Sequence, residues 1–232
     1  AAYCFSTGRS GETPREVLGG TRGFLVVDAY TGYNEVTSVN GRVRVGCHAH
    51  SRRKIFEAKA EPDAQLGLEL VRDLYVIEHD ARAAGIEGTD KHLAVRREHS
   101  RPLMTRLFCW ARRVRRTHGP KSKLGRAARY LLNSHRALTR FLHDARLPLD
   151  NNQSEGGLRV VALGRKNYLF VGHEQAGENV CGLYSLAITA TQCGLEPIAY
   201  LTDVLNRLHS HPASDIDALL PDRWAPATGP PS

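Results

Sequence analysis

Apolar residues follow two rhythms along the chain. Near the start they come in short runs. Phe24-Leu25-Val26-Val27 is a stretch of strand formers that ends at Asp28, and Arg42-Val43-Arg44-Val45 alternates. Both read as strands. Between them, Tyr30 to Val36 reads as a turn or short helix. Residues 14–18, after Thr13-Pro14, read as another short helix with proline in its first turn. From about residue 64 the period becomes helical. Leu66, Leu70, Leu74 and Ile77 mark a helix over Ala64–Ala84, with Gly85 and Gly88 as stop signals. Leu103, Leu107, Trp110 and Val114 form one apolar stripe; Leu124, Ala128, Leu131, His135, Leu138 and Leu142 form a second. His118-Gly119-Pro120 separates these two helices, and Arg129, Asn133, Arg136 and Arg140 repeat on the opposite side of the second. Val180, Leu183, Tyr184, Ala187, Ile188 and Thr191 mark another helix, and Leu201, Val204, Leu205 and Leu208 the next, after Pro197. The tail from Ala225 is rich in proline, glycine and alanine and reads as frayed. Strands and short helices, then a long helical stretch, then more helices predict an α/β or α+β fold with a helical insertion.

Composition narrows this. The chain has 232 residues, 41% of them hydrophobic, enough to bury a core. No window approaches the ~18 uninterrupted apolar residues of a membrane-spanning helix. Ala1 to Ser6 carry neither a basic start nor an apolar run, so no secretory signal is expected. Cys4, Cys47, Cys109, Cys181 and Cys193 are scattered and odd in number, which predicts a reduced intracellular protein rather than a disulfide scaffold. The net charge is +8, and residues 91–146 hold 16 Lys or Arg against two acids, Glu98 and Asp144. One helical segment therefore carries the whole basic excess and the rest is acidic. Such a block is either a solvated helix face or a surface for a polyanion. Each cation meeting a nucleic-acid phosphate releases counterions and adds affinity without reading sequence.

Four places carry candidate chemistry. Asp28 lies where a buried strand ends; it reads as a carboxylate reaching into a cleft beside a sheet or as a cap for the following turn. Glu155, in Asp150-Asn151-Asn152-Gln153-Ser154-Glu155, reads on spacing alone as part of a capping box with Asn152. Gly156-Gly157 would weaken a helix there by about 1 kcal/mol each relative to alanine. Cys47 and His50 have the separation of a zinc half-site, but a structural zinc needs four ligands and no second pair is present, so zinc is not expected. The bland expectation is a packed Cys47 and a local hydrogen bond from His50. Arg159, Arg165 and Lys166 form a basic cluster after Glu155. No phosphate-binding P-loop, HExxH or GxSxG motif occurs.

In combination these segments resemble a known family. Gly23-Phe24-Leu25-Val26-Val27-Asp28-Ala29-Tyr30-Thr31-Gly32-Tyr33 resembles its strand–Asp element, and Val45-Gly46-Cys47-His48-Ala49-His50-Ser51-Arg52-Arg53-Lys54 its Cys-x-x-His element. Leu149-Asp150-Asn151-Asn152-Gln153-Ser154-Glu155 resembles its glutamate element, followed by Ala162-Leu163-Gly164-Arg165-Lys166-Asn167-Tyr168-Leu169-Phe170 and the closing Leu219-Leu220-Pro221-Asp222-Arg223-Trp224. The family is the DDE transposases of the insertion-sequence-66 type, and the resemblance runs to about residue 224. It implies a bacterial, cytoplasmic, nucleoid-associated protein with a ribonuclease-H-like fold and a long basic helical insertion. It implies metal-dependent cleavage and transfer of DNA strands at transposon ends. An Asp, Asp, Glu triad would hold two Mg²⁺ or Mn²⁺ ions, with Asp28 as the second Asp and Glu155 as the Glu. DNA contacts fall to Arg112, Arg113, Arg129, Arg136, Arg140, Arg159, Arg165 and Lys166. Synapsis of two DNA ends implies a homo-oligomer.

Two departures stand out. The arginine that follows the glutamate in the family is Gly156 here. The first Asp of the triad would lie upstream of Ala1, because Glu12 and Glu16, the acids before Asp28, fall in a turn or helix pattern. The alternative is therefore a non-catalytic DNA-binding remnant or regulator. Expected divisions are 1–58 for the partial sheet region, 59–146 for the insertion, 147–224 for the glutamate-bearing and closing helices, and 225–232 for the tail. Ala2 to Ser6 reads as a further strand, and residues 1–10, lacking strand neighbours, are expected to be poorly held.

Overall fold

A computed structural model of the chain describes residues 1–8, 10–38, 41–167 and 171–226, with side chains omitted at 160 and 164–167. The chain folds into two compact units, Ser10–Gln153 and Ala1–Arg9 with Ser154–Ser232.

The first unit starts with helix α1 (Glu12–Leu18) and strand β1 (Phe24–Val27). A 3₁₀ turn, Thr31–Tyr33, leads to strand β2 (Val43–Gly46), which pairs in parallel with β1 from Phe24↔Val43 to Val27↔Gly46. These two strands form the one sheet among the described residues. Helices α2 (His48–Phe56) and α3 (Pro62–Ala83) follow. Gly85 ends α3 with φ +66, a backbone state that costs glycine nothing, and Ile86 N–H returns to Ala81 O at 3.0 Å. The stop signal thus acts as the sequence predicts.

Helix α4 (Asp90–Val95) passes through a π-helical turn, Arg96–Ser100, into α5 (Arg101–Thr117). Arg96 is buried inside this unit. Its guanidinium holds Glu78 with bonds of 2.8 and 2.5 Å and donates to Phe141 O and Asp144 O at 2.9 and 3.0 Å. One cation of the basic block therefore serves the fold. His118-Gly119-Pro120 breaks the chain before α6 (Lys123–Asn133), as expected. The second stripe does not continue as one helix to Leu142. At Ser134 the backbone leaves helical geometry (φ −95, ψ 10), and α7 (His135–Thr139) and a 3₁₀ turn, Arg140–Leu142, follow. Asn133 and Ser134 compete for backbone hydrogen bonds and so favour such breaks. The new direction sets Leu138 against β2, where Gly46 admits it: a Cβ there would stand 2.9 Å from Leu138 Cδ2.

Ile55, Ala58, Leu70, Leu74, Leu107, Trp110, Val114, Leu124, Leu131 and Leu138 share one buried core. Sheet side and basic helices are thus a single body. The boundaries expected at 58/59 and 146/147 do not coincide with this division, because α2 packs on α3 and α6 through that core.

The second unit contains α8 (Asn152–Asn167) from Ser154 onward, α9 (Glu174–Gln192) and α10 (Pro197–Arg207). Its core is small: Ala190, Tyr200, Val204 and Leu219, with Trp224 edge-on to Tyr200 at 5.6 Å. Leu205 and Leu208, which mark this helix in the sequence, stay 59% and 46% exposed, since α10 buries Tyr200 and Val204. Ala2 to Ser6 is not a strand. It lies along α9: Tyr3 N–H donates to Ser185 Oγ at 2.8 Å, the Tyr3 ring meets Tyr184 at 6.2 Å, and Phe5 rests on Gly177. Tyr3 and Phe5 thereby tie the segment to a helix, contrary to the expectation that residues 1–10 are poorly held. No helix among the described residues is long and apolar enough to cross a membrane.

Candidate active site

Asp28 sits just past the carboxyl end of β1. Its Oδ1 accepts the Tyr30 N–H at 2.9 Å, closing a local turn. Its Oδ2 faces the His50 Nε2 of α2 at 3.9 Å, and the carboxylate is about one-third exposed. Arg44, on β2, fixes the backbone behind it by donating to Asp28 O and Tyr30 O at 3.4 Å and to Asn34 Oδ1 at 3.1 Å. Burial lowers the pKa of Arg44, and the nearby Asp28 carboxylate opposes that shift. Burial, then Asp28, push the neighbouring Tyr33 phenol up, so it stays protonated at neutral pH.

The Cys47–His50 turn opens α2. Cys47 is buried. Burial pushes its thiol up, against amide N–H groups of Asn151, His50 and Ala49. A protonated, packed thiol is the bland expectation realised. The adjacent His48 is also buried, donates from Nε2 to Leu138 O at 2.9 Å, and is pulled by burial down to about 4. At neutral pH it is uncharged, which makes its Nε2 the donor.

The chain returns to this turn just before α8. His48 N–H donates to Leu149 O at 2.8 Å. Asp150 closes a turn at the start of α8: its Oδ1 accepts Asn152 N–H at 3.0 Å and its Oδ2 accepts Asn152 Nδ2 at 2.8 Å. The same Oδ2 accepts the Tyr75 hydroxyl of α3 at 2.6 Å. Burial, then this bond to Asp150, raise the Tyr75 pKa strongly. Thus Asp28 and the segment Leu149–Asn152 both converge on Cys47–His50. Glu155 follows in the first turn of α8, beyond the Gln153 boundary of this unit.

The donor chemistry of Asp28 suits Mg²⁺, a hard ion that accepts carboxylate oxygen and keeps several waters, so one or two protein carboxylates suffice. Among the described residues, no group of three or more His, Cys, Asp or Glu is assembled for a metal.

The basic candidates separate by what they already do. Arg112 and Arg129 are exposed on α5 and α6, Arg136 on α7 and Arg159 on α8. Arg113 pairs with Asp63 at 3.2 Å, and the half-buried Arg140 donates to Arg44 O. The side chains of Arg165 and Lys166 lie outside the described residues. Sequence reasoning missed Tyr75, Arg44 and the role of Asp150. The only prior sign was that Asp-Asn-Asn is turn chemistry.

Comparison with known proteins adds a family. Residues 1–179 match the family described as "Transposase IS66 family", and residues 185–221 match its "IS66 C-terminal element". Three proteins of Sinorhizobium fredii (strain NBRC 101917 / NGR234) are similar. "Uncharacterized protein y4hP" is 32% identical over 98% of this chain and 44% of its own length. "Uncharacterized protein y4jD" is 33% identical over 96% and 45%. "Uncharacterized protein y4qI" is 31% identical over 97% and 43%. The chain spans less than half the length of these relatives. No solved structure matches.

Proposed function

Because the chain belongs to the IS66 family of transposases, we propose that it is part of a catalytic region that cleaves and rejoins DNA strands at transposon ends. The observation that carries this reading is the family match along nearly the whole chain. A ribonuclease-H-like sheet is part of the proposal, supported by the parallel β1–β2 pair with Asp28 at its carboxyl end.

Asp28 and Glu155 are the carboxylates of this reading. They would hold Mg²⁺ or Mn²⁺, which supplies activation of the attacking oxygen and neutralisation of the leaving one. The chain's own residues do the rest. Arg44 fixes the Asp28 backbone, the turn bond to Tyr30 orients one carboxylate oxygen, and His50 stands beside the other. Asp150, gripped by Tyr75, sets where α8 begins and hence the phase of Glu155 on it. Exposed Arg112, Arg129, Arg136 and Arg159 supply the polyanion contacts, with Arg165 and Lys166 assigned to the same role from the sequence. Synapsis of two DNA ends makes a homo-oligomer part of the same proposal.

The test is a nicking assay on transposon-end DNA with the full gene product. Asp28→Ala and Glu155→Ala should each abolish Mg²⁺-dependent nicking while DNA binding persists. Nicking by both variants at the wild-type rate would refute the assignment. Absence of nicking by the wild type, with salt-sensitive binding intact, would favour the non-catalytic DNA-binding reading.

A further inference from the structure

The Arg52-Arg53-Lys54 run lies on α2, beyond the turn already described. Ala49, Arg52, Arg53 and Phe56 fall at helical spacings that share one face. Lys54 points elsewhere, over the Tyr130 ring at 5.1 Å. On α3, Arg72 and Tyr75 form a second face by the same rule. Between the two faces, and closed by Asn152, lies a pocket of about 450 Å³. It is lined by three arginines and no acid.

Its parts are not equivalent. Arg72 is charge-paired with Asp73 Oδ1 at 3.0 and 2.7 Å, and the Tyr75 hydroxyl is held by Asp150 at 2.6 Å. Among the described residues, Arg52 and Arg53 have no carboxylate partner. Phe56 is 44% exposed, so one side of its ring is open to solvent. Arg52 lies 5.7 Å and Lys59 4.6 Å from its centroid. Cations resting on an exposed ring occupy the surface that a nucleobase would stack on. Once displaced, they are free to meet a phosphate.

We propose that this pocket binds one unpaired nucleotide of a DNA strand, with its base stacked on Phe56 and its phosphate held by Arg52 and Arg53. The volume suits a single small ligand. A fully paired duplex keeps its base faces stacked internally and has none to offer. The proposal rests on the DNA reading above and adds to it the form of DNA that is bound.

The experiment uses the 232-residue chain, without divalent metal. The probes are two hairpin duplexes, one with a single unpaired 2-aminopurine and one fully paired. Anisotropy gives affinity, and 2-aminopurine emission reports stacking. Wild type should prefer the unpaired probe and quench its emission. Phe56→Ala should weaken binding of that probe about tenfold, abolish the quench and leave the paired probe unchanged, while Phe56→Tyr retains both effects. Arg53→Ala should weaken the unpaired probe without removing the quench. If Phe56→Ala binds both probes as wild type does, or weakens both equally, the pocket assignment is overturned and DNA binding stands. If wild type binds neither probe, the DNA reading falls, and the pocket with it.

Discussion

A methyl group added at Gly67 of α3 would stand 2.6 Å from the Trp110 indole, whereas one added at Gly156 of α8 would meet nothing within 4 Å. The same substitution should therefore have opposite signs. Gly67→Ala overpacks a rigid wall, because Trp110 is pinned by its Nε1–H to Asp63 O at 2.8 Å. It should cost about 1–3 kcal/mol, more than the helix gain of up to about 1 kcal/mol. Gly156→Ala collects only that gain. Urea unfolding of the two variants measures both. A second residue-scale expectation concerns His48, whose folded pKa of about 4 lies below the ordinary 6.5. Between those values the unfolded chain binds a proton that the folded chain refuses. Stability from this group is complete above pH 6.5 and drains as pH falls toward 4, by about 3 kcal/mol at most. His48→Phe should flatten that part of the stability–pH curve.

Among elements, the junction of α3, α4 and α5 is held by Glu78, Arg96 and His92, with His92 Nε2 3.3 Å from Glu78 Oε2. Glu78→Gln would strand a buried guanidinium and should cost about 3–5 kcal/mol in chemical denaturation. The exposed Arg82–Glu87 pair, though 2.8 Å long, should be dispensable. Helix positions were legible in the sequence because α3, α5 and α6 each bury one stripe, so periodicity and burial coincide. The same periodicity misled at Ser134, where the packing of Leu138 on Gly46 took the chain out of phase. Leu205 and Leu208 extend an apolar stripe onto an uncovered face. Asp28 was legible because a strand must end somewhere and a carboxylate there is conspicuous. Asp150 was not, because its importance comes from Tyr75, a partner far away in sequence and invisible to local spacing.

At the scale of the whole molecule, the basic excess and the two cores set the expectations. Of the cations in the helical block, Arg96, Arg113 and Arg140 are engaged by the fold, while Arg112, Arg129 and Arg136 face solvent. Replacing one of the latter by alanine should reduce the salt slope of DNA binding by about 0.9 for each phosphate it had neutralised. Arg96→Ala should act on stability instead. The large core of the Ser10–Gln153 unit and the small one around Tyr200 predict uneven protection. Amide exchange should be slowest in α3, α5 and α6 and faster in α9 and α10. The π-helical turn at Arg96–Ser100 has a consequence of another kind. A π turn closes i→i+5 bonds in place of i→i+4, so it absorbs one extra residue between α4 and α5. Deleting one residue within it would let plain α-helix re-form with the flanking turns still in phase, so the loss would fall on Arg96 at the turn itself rather than on His92. The length of this segment is thus tied to Arg96, whose guanidinium must still reach Glu78, Phe141 O and Asp144 O from the turn.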